Sequence, residues 1–177
     1  MSSGVILYGA PATGKDTVTQ ALSLLDTRYR LFERLKAGAG RTTGYRMTDE
    51  HELDRLESAG LLVWQNSRYS ARYAIDRPGL DELTQAGLVP VVHAGQPEVI
   101  EAVRTATPNV EWTVVQLVCD PETAKARIIA RRTGDVAERL AAGAATPTIS
   151  ADLTINTDCL EPNEAARQID AAIRPGS

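Results

Sequence analysis

Near its start the chain reads Gly9-Ala10-Pro11-Ala12-Thr13-Gly14-Lys15-Asp16-Thr17, two glycines five residues apart with a lysine directly after the second. That spacing suits one kind of chemistry. Glycines let a backbone curl until successive N–H groups face a common centre, and such a ring of donors holds phosphate oxygens. The lysine adds a point charge where the β- and γ-phosphates of a nucleotide would lie. Gly9, Ala12, Thr13, Gly14, Lys15, Asp16 and Thr17 are therefore candidate binding residues for ATP, with Lys15 the candidate catalytic charge. A glycine-bearing turn with an exposed lysine is the plain alternative, and the flanking elements separate the two.

Such a loop works only between a strand and the start of a helix, whose dipole adds positive potential. Gly4 to Tyr8 is a short apolar run that reads as a buried strand, and Lys15 to Leu25 spaces Val18, Ala21, Leu22 and Leu25 as one face of a helix. The commonest form of the motif has Ser or Thr after the lysine to bind magnesium. Here Asp16 stands there and Thr17 supplies a hydroxyl one position later. Asp16 either holds Mg²⁺ through a water or serves as a first-turn carboxylate favoured by the helix dipole. Mg²⁺ is expected in both cases, because a triphosphate carries it.

Beyond residue 77, strand and helix patterns alternate. A helix is expected over 78–86, a buried strand over 88–92, a helix over 97–105 and a strand over 112–118. Helices follow over 121–132 and 135–142, then a strand over 151–155 and a closing helix over 162–173; the small-residue tract 141–147 reads as loop. Asp120 and Pro121 suit the cap and first position of their helix. Alternation of this kind implies an α/β fold, a mostly parallel sheet with helices on both faces. Residues 28–77 break the rhythm. A helix capped by Thr48 or Asp49, with Glu52 placed for a capping box and Gly60 to stop it, lies among short strands near 44–47, 61–64 and 72–75. This stretch is expected to be a small insert apart from the main sheet, leaving 1–27 and 78–177 as the core of one domain.

The bulk properties narrow the partners. A net charge of −4 and an aromatic content of 5% argue against a nucleic acid polymer. Residues 28–77 nevertheless hold ten basic and seven acidic residues, or +3, and the remainder is −7. A cationic insert in an acidic protein suits a small anion, or a solvated surface. Cys119 and Cys159 are isolated, which excludes a disulfide framework or zinc knuckle. No run reaches the length of a membrane span and no signal-peptide pattern opens the chain, so a cytoplasmic protein without a membrane partner is expected.

With the loop read as Gly-Lys-Asp-Thr, the downstream order resembles the guanylate kinase-like nucleoside monophosphate kinases. Thr43 to Thr48 with the following helix resembles the family's tyrosine-bearing strand. Gly60 to Trp64 and Arg72-Tyr73-Ala74-Ile75 resemble its acceptor-binding strands. Val118 to Glu122 with Arg127, Arg131 and Arg132, and then Asp135 to Leu140, resemble the helices entering and leaving its lid. The resemblance implies a three-layer P-loop kinase fold with a five-stranded sheet, an acceptor-binding insert at 28–77 and a short lid at about 127–139. It departs where guanylate kinases carry a base-reading glutamate, here Val63, a threonine, here Ile75, and an aspartate, here His93. A valine cannot accept from a base edge, which argues against GMP. The Gly-Lys-Asp loop and His93 are closer to the ribose bisphosphokinase branch.

By this resemblance Arg131, Arg132 and Arg139 are lid residues that close over phosphates, the first two as catalytic charges. Arg34, Arg41, Tyr45 and Tyr73 are candidates for holding an acceptor phosphate, since guanidinium forks and phenol hydroxyls suit one. His93, at the carboxyl end of a central strand, is a candidate contact or general base for the acceptor hydroxyl. Each has a bland reading as a solvated or satisfied side chain. The leading expectation is an ATP-dependent transfer of the γ-phosphoryl group to a small phosphorylated acceptor, a nucleotide or sugar phosphate. A kinase of an unphosphorylated hydroxyl and a guanylate kinase-like interaction module without catalysis are the alternatives.

Overall fold

The computed structural model describes residues 1–173. Its main sheet joins β1 (Ser2–Tyr8), β2 (Tyr29–Leu31), β7 (Val89–Ala94), β8 (Val110–Val118) and β9 (Leu153–Asn156) in the order β2-β7-β1-β8-β9. Every pairing is parallel. Central β1 alternates its side chains between two cores. Val5 and Leu7 pack with Val18 and Leu22 of α1 (Lys15–Leu25) and with Ala165 and Ile169 of α7 (Pro162–Ala172). Ile6 and Tyr8 pack on the opposite face with Leu80 of α3 (Arg77–Gln85) and with Val99 and Val103 of α4 (Pro97–Ala106). Burying each such aliphatic side chain stabilises the fold by about 1.5–3 kcal/mol. The result is the expected three-layer α/β architecture.

Gly4 shows how tightly the layers close. A Cβ there would sit 2.5 Å from the ring of Trp112, whose indole N–H donates to Thr107 Oγ1 at 2.9 Å. Any larger residue at position 4 would displace that ring.

A second sheet, ordered β4-β3-β6-β5, comprises β3 (Arg34–Gly38), β4 (Tyr45–Met47), β5 (Leu62–Arg68) and β6 (Ala71–Asp76). Its outer face packs Leu35, Ala37 and Ala74 on Leu53 and Leu56 of α2 (Glu50–Ser58). Arg72 fastens that helix from below, donating to Glu50, Asp54 and Glu57.

Several boundaries differ from the sequence reading. Tyr29–Leu31 pairs with β7, so residues 28–33 lie with the main sheet and the second sheet begins at Arg34. Asp49 caps α2 by accepting from the Glu52 amide, but the Glu52 carboxylate pairs with Arg55, so the capping box is half formed. His93 lies within β7 because that strand runs on to Ala94. The small-residue tract is helical as far as Ala145, in α6 (Val136–Ala145). Finally α5 (Pro121–Ala130) stops before Arg131, which is its C-terminal cap, and Arg132 has a positive φ of 51°.

Candidate active site

The loop of residues 9–14 leaves the carboxyl end of β1, at the centre of the sheet, where strand order reverses and open α/β sheets bind ligands. Its curl is set locally. The Gly9 amide donates to Ala94 of β7, anchoring the first turn, and Thr13 donates through its hydroxyl to Ala10 at 2.8 Å. Ala12 takes a φ of 64° and Gly14 one of 101°, left-handed positions on either side of Thr13 that curl the chain. Gly14, at the N-cap of α1, needs that freedom, and any residue with a Cβ would be strained there. Among the described residues, the amides of Ala12, Gly14, Lys15, Asp16 and Thr17 have no backbone acceptor. Five donors are thus left for a ligand, three of them at the positive end of α1.

Lys15 folds back over this curl, its Nζ donating to Gly9 at 2.7 Å and Ala10 at 3.0 Å. Burial lowers its pKa to about 8; Asp16 opposes the shift, and the charges of Arg34, Arg131 and Arg139 add to it. Guanidinium groups from three other parts of the chain thus lie close enough to act on the charge of Lys15. Among the described residues, these cations meet Asp16, whose side chain is 55% exposed, and Asp135, which pairs with Arg139 at 2.7 Å.

His93 joins the loop from the adjacent strand. Its Nε2 lies 2.7 Å from Thr19 Oγ1, and that hydroxyl donates to the Lys15 carbonyl at 2.8 Å. With the hydroxyl proton so committed, we assign the ring proton to Nε2, which donates to Thr19 and leaves Nδ1 facing Asp16 at 3.8 Å. Burial, and then the charge of Lys15, push the His93 pKa down to about 3, so the ring is neutral. Arg34 donates to the His93 carbonyl, and burial lowers its pKa to about 10.

Two further segments close on the loop. Arg127 of α5 donates to the Ala12 carbonyl at 3.0 Å and approaches Asp158 at 4.0 Å. Beyond β9, the Thr157 hydroxyl donates to the Thr13 carbonyl at 2.8 Å. Asp158 and Thr157 were not legible as site residues in the sequence; a polar pair just beyond a strand's carboxyl end was their only signal. Arg139 of α6 pairs with Asp135 at 2.7 Å and lies 5.3 Å over the Tyr69 ring, so α6 meets the turn between β5 and β6.

The candidate acceptor residues divide. Tyr45 and Tyr73 meet with ring centroids 5.4 Å apart, on the side of the second sheet that faces Arg34 and Arg139. Arg41 does not join them, because it sits in an exposed loop and donates to Thr43. Arg132, like Arg131, is exposed. Asp16 and Thr17 lie at the exposed start of α1, where oxygen ligands suit a hard cation such as Mg²⁺. No cluster of three His, Cys, Asp or Glu residues among the described residues could hold a metal without help from a ligand's own oxygens. No described helix is long and apolar enough to cross a membrane.

No family model and no curated protein sequence matches the chain. Solved structures do. Guanylate kinase from Anaplasma phagocytophilum superposes with a TM-score of 0.60 at 14% identity, over 96% of this chain and 83% of that one. A sugar kinase from Janibacter sp. HTCC2649 gives 0.54 at 16% identity, over 97% and 94%. The protein APE1195 gives 0.54 at 13%, over 96% and 93%. At these identities the likeness is one of fold. The chain has the α/β fold of P-loop kinases, a five-stranded parallel sheet flanked by helices.

Proposed function

We propose that the chain is a phosphotransferase that grips ATP by its phosphates on residues 9–17 and passes the γ-phosphoryl group to a small phosphorylated acceptor. The observation that carries this reading is that five loop amides lack backbone acceptors beside Lys15, on which the charges of Arg34, Arg131 and Arg139 act, four cations set against the carboxylates of Asp16 and Asp135. A polyphosphate supplies the missing charge. Phosphoryl transfer asks little else of a protein than alignment, dryness and positive charge on the transferring oxygens.

In this reading Lys15 leaves the Gly9 and Ala10 carbonyls and donates to the β- and γ-phosphates. Arg131 and Arg139, brought in by the lid, and Arg34, from the second sheet, lie around the transferring group. An acceptor oxygen attacks the γ-phosphorus, the bond to the bridging oxygen breaks, ADP departs, and the acceptor proton passes to solvent. Asp16 and Thr17 are the residues that would hold Mg²⁺, which neutralises phosphate charge when bound. His93 is better suited to positioning than to general base catalysis. A ring held near a pKa of 3 removes a proton poorly, whereas its bond to Thr19 steadies the first turn of α1.

Guanine recognition is not supported. Val63 falls at the bulge of β5 and packs on the apolar core, leaving no carboxylate to read a base edge there. Screening phosphorylated sugars and nucleotides for acceptor-dependent ADP formation tests the proposal. Turnover with an unphosphorylated alcohol alone would contradict the acceptor class.

A further inference from the structure

Cross-strand register sorts the inner face of the second sheet into two rows. Met47, Lys36, Tyr73 and Asn66 are successive partners in one row. In the next, Tyr45 pairs with Arg34, and Trp64, two residues before Asn66, lies on the same face. Three of these side chains have needs the protein does not meet.

Lys36 is 2% exposed. Its Nζ donates to the Arg41 carbonyl at 2.7 Å and lies 5.3 Å and 5.5 Å from the rings of Tyr45 and Tyr73. No carboxylate among the described residues pairs with it. A buried ammonium normally sits against a counter-charge, because one carbonyl and two ring faces recover only part of its lost hydration. On the same face, Trp64 Nε1 and Asn66 Oδ1 are buried with no hydrogen-bond partner among the described residues. Unpaired buried polar atoms are rare enough to point to something that completes them.

We propose that Lys36 is the anion-binding residue of the acceptor site, and that Asn66 and Trp64 recognise a hydrogen-bonding group elsewhere on the same acceptor. The inference rests on the phosphorylated acceptor proposed above and assigns the residues that select it. The acceptor's phosphate replaces the Arg41 carbonyl on Lys36, which requires the exposed loop 39–44 to lift. Trp64 only donates, whereas the unpaired atom of Asn66 accepts. A hydroxyl or amide that can both accept and donate satisfies the two together. An acceptor with charge at one end and such a group at the other fits this face; a purely apolar one does not.

The test uses the full chain carrying Lys15→Ala, which removes the lysine of the phosphate loop, with inorganic phosphate as probe and sodium chloride at matched ionic strength as reference. Phosphate raises the melting temperature of this protein, and the rise is lost when Lys36→Met or Lys36→Gln is added. Glutamine still donates to the Arg41 carbonyl, so its failure separates charge from hydrogen bonding. In chloride alone both neutral variants melt no lower than their parent, because each removes a buried charge that lacks a counter-charge. An equal phosphate response with and without Lys36, no response in the Lys15→Ala protein, or unfolding of both neutral variants overturns the assignment. ADP binding by the unmodified chain is measured alongside. If ADP binds but the phosphate response ignores Lys36, this inference alone falls; if ADP does not bind, the reading it rests on falls.

Discussion

Arg127 Nη1 donates to the carbonyl oxygen of Ala12 at 3.0 Å, joining α5, which follows β8, to the loop that follows the neighbouring parallel strand β1. The bond spans 115 residues of sequence and holds in place a residue with positive φ. It couples the curl of the loop of residues 9–14 to the position of α5.

Replacing Arg127 with Met therefore loosens the loop without touching the core. Its side chain is 39% exposed, so the fold should lose little. Loss of one charge-assisted hydrogen bond predicts about five- to tenfold weaker ADP binding by calorimetry, with a melting temperature close to that of the parent. Unchanged ADP affinity would show that the contact does not shape the loop.

The lowered pKa of Lys15, about 8, has a measurable sign. At that pH about half of the free protein carries a neutral amine, and a bound phosphate favours the charged form. ADP binding near pH 8 should take up roughly half a proton, visible as a dependence of binding enthalpy on the buffer's ionisation heat. Affinity should fall as pH rises above 8. Proton release, or no buffer dependence, would place the amine elsewhere.

His93 makes the opposite kind of demand. The unfolded ring takes a proton below about pH 6.5, whereas the folded ring resists until about 3. Between those values the unfolded state binds more protons, so stability falls as pH drops from 6.5 toward 3. His93→Gln, whose amide can reach Thr19, should flatten that part of the stability curve in urea titrations. An acid limb as steep as in the parent would mean that His93 titrates normally.

Asp76 joins the second sheet to the core. Its side chain is 5% exposed, pairs with Arg46, and caps α3 by accepting from the Gly79 amide at 3.0 Å. Asp76→Ala should destabilise the protein by about 2–3 kcal/mol, combining a lost cap with a lost charge-assisted bond. Chemical denaturation measures it. A loss below about 0.5 kcal/mol would show that water replaces both partners.

What was legible in the sequence is what the chain does locally. The loop between β1 and α1, and the strand β8, announce themselves because their patterns lie within a dozen neighbouring residues. Tyr29–Leu31 is three residues long, too short for any periodicity, and only its pairing with β7 makes it part of the main sheet. β3 was hidden for a different reason. Lys36 is buried in it, so its inner face reads as charged where a strand's buried face should read as apolar. The docking of Arg127 on Ala12 and of Thr157 on Thr13 joins residues more than a hundred positions apart, and no local pattern encodes such a meeting. Arg41 was chosen for its residue type and neighbourhood; the fold leaves it in an exposed loop, where it donates to Thr43.

The proposed function depends on a seat for polyphosphate formed by the amides of Ala12 and residues 14–17 together with Lys15. Calorimetric titration of the full chain with ADP and Mg²⁺, repeated on Lys15→Ala, tests it most directly. We predict saturable binding at one site per chain, weakened at least tenfold in the variant, as expected for loss of a direct charge–phosphate contact. No binding by the parent chain, or equal affinity in both proteins, would contradict it.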